Sequence, residues 1–111
     1  MAIGDVTPSE MCLTALSATA ATIFTNAGAS YRTQATQIFI ANTGAAERKV
    51  TIYKNGTGTT NIIASSIVIP AGGSVIIDTK IILTGTQTLA AKQDVGTDVN
   101  MAVYGIIEQI A

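Results

Sequence analysis

The sequence predicts an all-β domain, a jelly-roll-like β-sandwich of about eight strands with one short helical turn near its N-terminus. Three observations carry this. Short runs of β-branched residues recur at the spacing of sandwich strands, Gly, Asn or Pro cuts each run off, and no βαβ alternation appears anywhere.

The first clear run is Ala21 to Thr25, closed by Asn26-Ala27-Gly28, residues that tolerate the backbone angles of a turn. A second run opens at about Thr33. Along it Thr36, Ile38 and Ile40 fall on one face and Gln37, Phe39 and Ala41 on the other, a mixed pattern suited to two covered faces. After Asn42-Thr43-Gly44, the segment Lys49 to Asn55 alternates as a half-buried strand, with Val50 and Ile52 opposed to Thr51 and Tyr53.

Asn55-Gly56 signals a tight reversal, and Gly56-Thr57-Gly58-Thr59-Thr60 reads as a polar loop leading into a strand from Asn61 to Ile69. Pro70-Ala71-Gly72-Gly73 stops that ladder, because proline lacks a donor and the glycines bend the chain. The β pattern resumes over Ser74 to Leu83 and again over Thr86 to Lys92. Asp94-Val95-Gly96-Thr97-Asp98 forms a polar turn before the last strand, Val99 to Ile110, which is the longest and is expected to cross the sheet centre. On it Val99, Met101, Val103, Gly105 and Ile107 share one face.

The N-terminal region reads differently. Thr7-Pro8-Ser9-Glu10 has the form of a capping box with proline at the first helical position, which predicts the helical turn. Leu13 to Ala21 reads as an edge strand or arm, or else as a short helix. Residues 1–111 are taken as one domain, with 1–10 as an N-terminal arm.

Of the 111 residues, 48% are hydrophobic and only 12% are Asp, Glu, Lys or Arg, about half the roughly 25% of an ordinary soluble domain. Thr, Ser, Asn, Gln, Ala and Gly must cover the surface instead. Such a surface is cheaper to dehydrate than one of Lys and Glu, which favours buried contacts with other protein. The formal net charge is −1 and the basic residues Arg32, Arg48, Lys49, Lys54, Lys80 and Lys92 are scattered, so the footprint of a nucleic-acid binder is missing. Glu47-Arg48-Lys49 reads as a solvated turn.

With no histidine, the chain has no imidazole base or imidazole metal ligand. The carboxylates fall mostly in or beside turns, where acids are common for backbone reasons. No catalytic residue, cofactor or metal is therefore expected, and the protein is read as not an enzyme. Asp94 and Asp98 flanking Gly96 resemble a calcium turn, but hard-cation sites want about six to eight oxygens. Gly56-Thr57-Gly58 lacks the final glycine and the helix of a phosphate loop. Cys12, the only cysteine, reads as a small apolar filler. Asp5 and Glu10 precede any apolar run, so no secretory signal is read, and no run approaches the ~18 residues of a membrane span. These features predict a soluble protein made in the cytoplasm. Tyr31, Tyr53 and Tyr104 are read chiefly as packing residues of a sheet face.

Taken together, Ala21-Thr22-Ile23-Phe24-Thr25, Ile40-Ala41-Asn42-Thr43-Gly44, Val50-Thr51-Ile52-Tyr53, Ile69-Pro70-Ala71-Gly72-Gly73-Ser74 and Thr88-Leu89-Ala90-Ala91-Lys92 resemble, in this order, small virion proteins of tailed bacteriophages. The resemblance spans roughly residues 20 to 110. It implies a β-sandwich or jelly-roll module in the virion, serving as capsid decoration (cement), often as a trimer, or as part of the tail and its fibres. The implied partners are copies of the chain itself and the major capsid protein or other virion proteins, with no nucleic acid and no membrane. Two functions follow as expectations. A decoration protein would bury its sides against sister subunits and its base against the shell, with Thr7, Pro8, Ser9 and Glu10 in an arm reaching a neighbour. A binding module, or a tail or connector part, would use the loops holding Gly56, Thr57 and Gly58 and holding Asp94, Gly96 and Asp98 to touch a host glycan or a tail protein.

Overall fold

The computed structural model describes residues 2–111 and contains eight strands. They are β1 (Val6–Ala15), β2 (Ala21–Thr25), β3 (Tyr31–Asn42), β4 (Arg48–Lys54), β5 (Ile62–Ile69), β6 (Ser74–Thr84), β7 (Thr88–Gln93) and β8 (Val99–Gln109), with a single 3-10 turn at Thr59–Asn61. Two four-stranded antiparallel sheets result, in the orders β1-β8-β3-β6 and β2-β7-β4-β5.

The pairing is nested. β4 pairs with β5, β3 with β6, β2 with β7 and β1 with β8, so the chain behaves as one long hairpin whose successive pairs alternate between the two sheets. The contacts β3 with β8 and β4 with β7 then stitch the pairs together, which is the jelly-roll arrangement.

Alternation along the central strands decides which face is buried. On β8, Val99, Met101, Val103 and Gly105 point inward as the sequence predicts, and β8 is an interior strand of its sheet. Ile38, Ile40, Val50, Ile52, Ile69, Leu83 and Leu89 complete the contact between the sheets, each at most 2% exposed. An antiparallel pair of sheets with these inner faces needs neither disulfide nor metal to close a core.

The N-terminal expectation is corrected. Thr7, Pro8, Ser9 and Glu10 form no helical turn and no free arm, because they lie in β1 and pair with Ile107, Ile106, Gly105 and Tyr104. The capping signal is local and worth little beside a ladder spanning most of a strand, and Pro8 is tolerated because β1 is an edge. Residues 2–5 are held as well, with the Gly4 amide donating to the Gln109 carbonyl at 2.7 Å. Met1, the first residue of the predicted arm, lies outside the described residues.

Two strands differ in burial from their predicted pattern. β3 is covered on one face only, leaving Phe39 36% exposed, and its pairing slips between Ala35 and Gln37. That bulge shifts the inward phase from Thr33 and Ala35 to Ile38 and Ile40, and leaves Thr36 half-exposed with its hydroxyl 3.4 Å from the Tyr104 carbonyl. β4 is buried on both faces from Val50 to Tyr53. Its neighbour β5 is irregular there, with Ser66 in the left-handed region and its amide directed at the Thr51 hydroxyl, 3.4 Å away. Glu47-Arg48-Lys49 is likewise no free turn, since Arg48 and Lys49 open β4.

Buried polar side chains pin the loops. Asn26 donates to the carbonyls of Tyr31 (2.9 Å) and Gly85 (2.8 Å) and accepts from the Thr33 hydroxyl (2.7 Å). Asn42 does the same for the following turn, donating to Ala46 (2.7 Å) and Ile69 (3.2 Å) carbonyls. Gln93 ties β7 to the chain leaving β1 through the Leu16 carbonyl, 2.6 Å away. Gly105 is required by close approach: any Cβ there would overlap the backbone carbonyl of Gln34 at the bulge. Gly105→Ala is therefore expected to destabilise the protein by about 2 kcal/mol or more, because the obstruction is backbone and cannot rotate away. Chemical denaturation of the two proteins checks this.

Candidate functional site

The three segments singled out in the sequence are not brought together. Thr7 to Glu10 lie along the β1 edge, where Pro8, Ser9 and Glu10 border a shallow depression with Thr36, Tyr104 and Ile106. Gly56, Thr57 and Gly58 follow the last residue of β4, whereas Asp94 to Asp98 meet its first residues. The two loops thus sit at opposite ends of the sandwich.

Each loop is occupied with holding itself. Asn61 donates to the carbonyls of Lys54 (3.2 Å) and Asn55 (3.1 Å) and accepts from the Gly58 amide (3.2 Å), which ties the loop back onto β4. Asn55 and Gly56 both have positive φ, as the tight reversal requires. In the other loop the Asp94 carboxylate accepts from the amides of Lys49 (3.1 Å) and Val95 (3.0 Å). Asp98 accepts from Arg48 Nε at 2.9 Å in a half-buried ion pair. One oxygen of each carboxylate is thus engaged, and the described residues hold no cluster of three potential metal ligands.

The Lys49 amide holds the Asp94 carboxyl below the usual carboxylate range. Burial pushes the Cys12 thiol up, against the opposing hydrogen bond from the Val103 backbone, so it stays a thiol packed against the core.

A different surface stands out once the strands are in register. Leu13 on β1, Ala102 on β8, Phe39 on β3 and Ile76 on β6 are paired neighbours, and they form one apolar row straight across the outer face of their sheet. Leu13 is 66% and Ile76 60% exposed. Tyr104 stands in the next row and packs edge-on against Phe39, ring centroids 5.6 Å apart. Shallow depressions of about 440 and 500 Å³ flank Phe39 on this face. An apolar row of this length on an outer face has the character of the dry centre of a protein interface, with Glu10 and Asp78 beside it in the row of Tyr104.

Sequence reading missed this row because it depends on cross-strand register. The available signal was that Gln37, Phe39 and Ala41 were too apolar for a solvated face. Tyr104 proves to be an outward residue of the patch, whereas Tyr53 is buried packing.

A second feature is an apolar cleft of about 310 Å³ where the sheets part between β5 and β6, lined by Ile52, Ile63, Ile77 and Ile81 with Lys54 and Lys80 beside it. No described helix is long and apolar enough to cross a membrane.

Because Asp94 has a lowered carboxyl pKa in the fold, it adds stability that is complete above the unfolded carboxylate range and is lost as pH falls through the folded value. Asp94→Ala is expected to make the acid limb of the stability profile shallower, read by thermal unfolding between about pH 5 and pH 2. Added calcium is expected to leave the melting temperature of the wild-type protein unchanged, since a cation would have to displace Arg48 from Asp98.

No family model matches the chain, and no curated protein matches it. Solved structures share its fold. A chain from Bacillus endospore appendages, described as disulfide-linked pili, is 18% identical with a TM-score of 0.57, over 99% of this chain and 93% of that one. A chain of the acid-stable capsid of Helicobacter pylori bacteriophage KHP30 gives a TM-score of 0.57 at 5% identity, over 99% and 90%. The Drosophila NLP core, described in terms of pentamer formation and histone binding, gives 0.52 at 12% identity, over 91% and 100%. At these identities the likeness establishes the fold: this chain is an eight-stranded jelly roll of the kind those assemblies also contain.

Proposed function

We propose that the protein is a structural subunit of a virion, specifically a capsid decoration (cement) protein of a tailed bacteriophage that binds sister copies and the shell. The observation that carries this reading is the apolar row Leu13, Ala102, Phe39 and Ile76 on the outer face of its sheet. A monomer in water would leave this row wet, and seating it on the flat surface of a capsid protein removes that apolar area from water while Glu10 and Asp78 of the neighbouring row stay at the rim.

The chemistry elsewhere agrees with a mechanical role. The candidate loop carboxylates are committed to backbone amides and to Arg48, and the thiol is held protonated. The solved structures that share the fold are described as pili, a pentamer and a capsid, which in each case is an assembly of many chains. A subunit that binds only the closed shell stabilises it by mass action, and repeated contacts about a symmetry axis turn modest interfaces into durable attachment. Three copies about the axis is the arrangement that the sequence resemblance implies.

The test is co-sedimentation with purified phage capsids lacking the protein. Stoichiometric binding and a raised capsid melting temperature are expected. Leu13→Lys combined with Ile76→Lys should leave the isolated fold within about 1 kcal/mol of wild type, because both positions are well exposed, while attachment to capsids is lost. Failure of the wild-type protein to co-sediment overturns the decoration role.

A further inference from the structure

Four strands form the edges of the two sheets, and three of them carry features that discourage pairing with another chain. β1 contains Pro8 and a bulge between Glu10 and Cys12, β2 is five residues long with its own bulge, and β5 carries Ser66 in the left-handed region and two register slips. β6 is different. It is eleven residues long and free of Gly and Pro, and although its pairing with β3 slips once, where Thr79 and Lys80 oppose Thr36, its exposure alternates without a break from Ser74 to Leu83. Its outer side faces no described strand, so it presents a row of unpaired backbone donors and acceptors.

Its sequence, Ser74-Val75-Ile76-Ile77-Asp78-Thr79-Lys80-Ile81-Ile82-Leu83-Thr84, is a chemical palindrome about Thr79, except that the central pair carries opposite charges. We infer that β6 is a homotypic pairing edge, at which two copies join antiparallel about a two-fold axis through Thr79 to make one continuous eight-stranded sheet from two four-stranded ones. The inference rests on the reading that the protein assembles with copies of itself, and it specifies the contact.

In that register each Asp78 lies opposite Lys80 of the second copy. The outward Ile76 meets Ile82, which is 46% exposed, and the inward Ile77 meets Ile81. Val75 meets Leu83, and Ser74 meets Thr84. Outward residues meet outward ones throughout, so both cores stay on the same side of the joined sheet. The apolar row of the outer face gains one more member across the axis, Ile82 of the second copy, because Ile76 is its last member.

The charges select this register. Sliding one copy to the next register that preserves the faces sets either Asp78 against Asp78 or Lys80 against Lys80, and an intermediate slip turns one copy inside out. Gln37 donates to Asp78 Oδ1 at 3.1 Å, which fixes that carboxylate at the middle of the edge. The pair thus repels most strands and admits an antiparallel copy of itself. A two-fold contact also leaves the other surfaces free for a ring or for a shell, whose units it would link in pairs.

Charge reversal tests this in the full-length protein by sedimentation equilibrium. Asp78→Lys and Lys80→Asp, each alone, place like charges opposite one another and should weaken self-pairing at least about tenfold, halving the assembled mass relative to wild type. The double reversal D78K/K80D should restore it, as should mixing the two single variants, which are complementary to each other but not to themselves. Both positions are exposed, and unchanged melting curves confirm that the variants fold. Restoration by the double variant and by the mixture is the supporting result. If wild type and single variants share one multi-chain mass, the β6 edge is wrong while self-assembly stands. If all remain single chains at high concentration, both fall.

Discussion

Everything in this structure depends on the period-two alternation of β3 and β8, the interior strands of one sheet, and on its match to β4 and β7 in the other. Ile38, Ile40, Met101 and Val103 face Val50, Ile52, Leu89 and Ala91 across the gap, and their removal from water is the main favourable term. Once that inner face is fixed, the outer face is fixed too. Phe39 and Tyr104 are exposed because their sequence neighbours are buried, so the candidate interface is a geometric by-product of the core that carries apolar side chains.

The charge-poor composition acquires a location on this view. About half of the charged side chains are held in specific tasks, among them Arg48 with Asp98, Arg32 with Glu108, Asp94 with the start of β4 and Asp78 with Gln37. They fasten loops and mark positions along strands. None gathers into a field that would steer a small ionic ligand, and the remaining exterior is cheap to dehydrate. A surface so constituted suits the contact with other protein proposed above.

Much of the fold was legible in the sequence because its signals are local. Asn42-Thr43-Gly44, Asn55-Gly56 and Pro70-Ala71-Gly72-Gly73 stop strands through backbone chemistry, and β2 begins and ends where its β-branched run does. The inward set on β8 could be read from alternation alone. What could not be read depends on partners distant in sequence. Thr7 to Glu10 looks like a helix start until β8 offers a ladder, the phase of β3 changes at a bulge that lies against Gly105, and Thr51 and Tyr53 are buried beside the irregular path of β5. The apolar row was invisible for the same reason, since its four members come from four strands aligned only by register.

The nested pairing also orders events in time. β4 and β5 are separated by one short loop, whereas β1 and β8 come from opposite ends of the described chain, so the entropy of closing each loop rises from the innermost pair to the outermost. The inner hairpin is the natural nucleus, and the β1–β8 ladder is the last to zip. A chain built this way refolds slowly for its size, because most native contacts must wait for distant segments to meet. Until that last ladder closes, the flank of β8 that β1 covers stays open to strands of other chains.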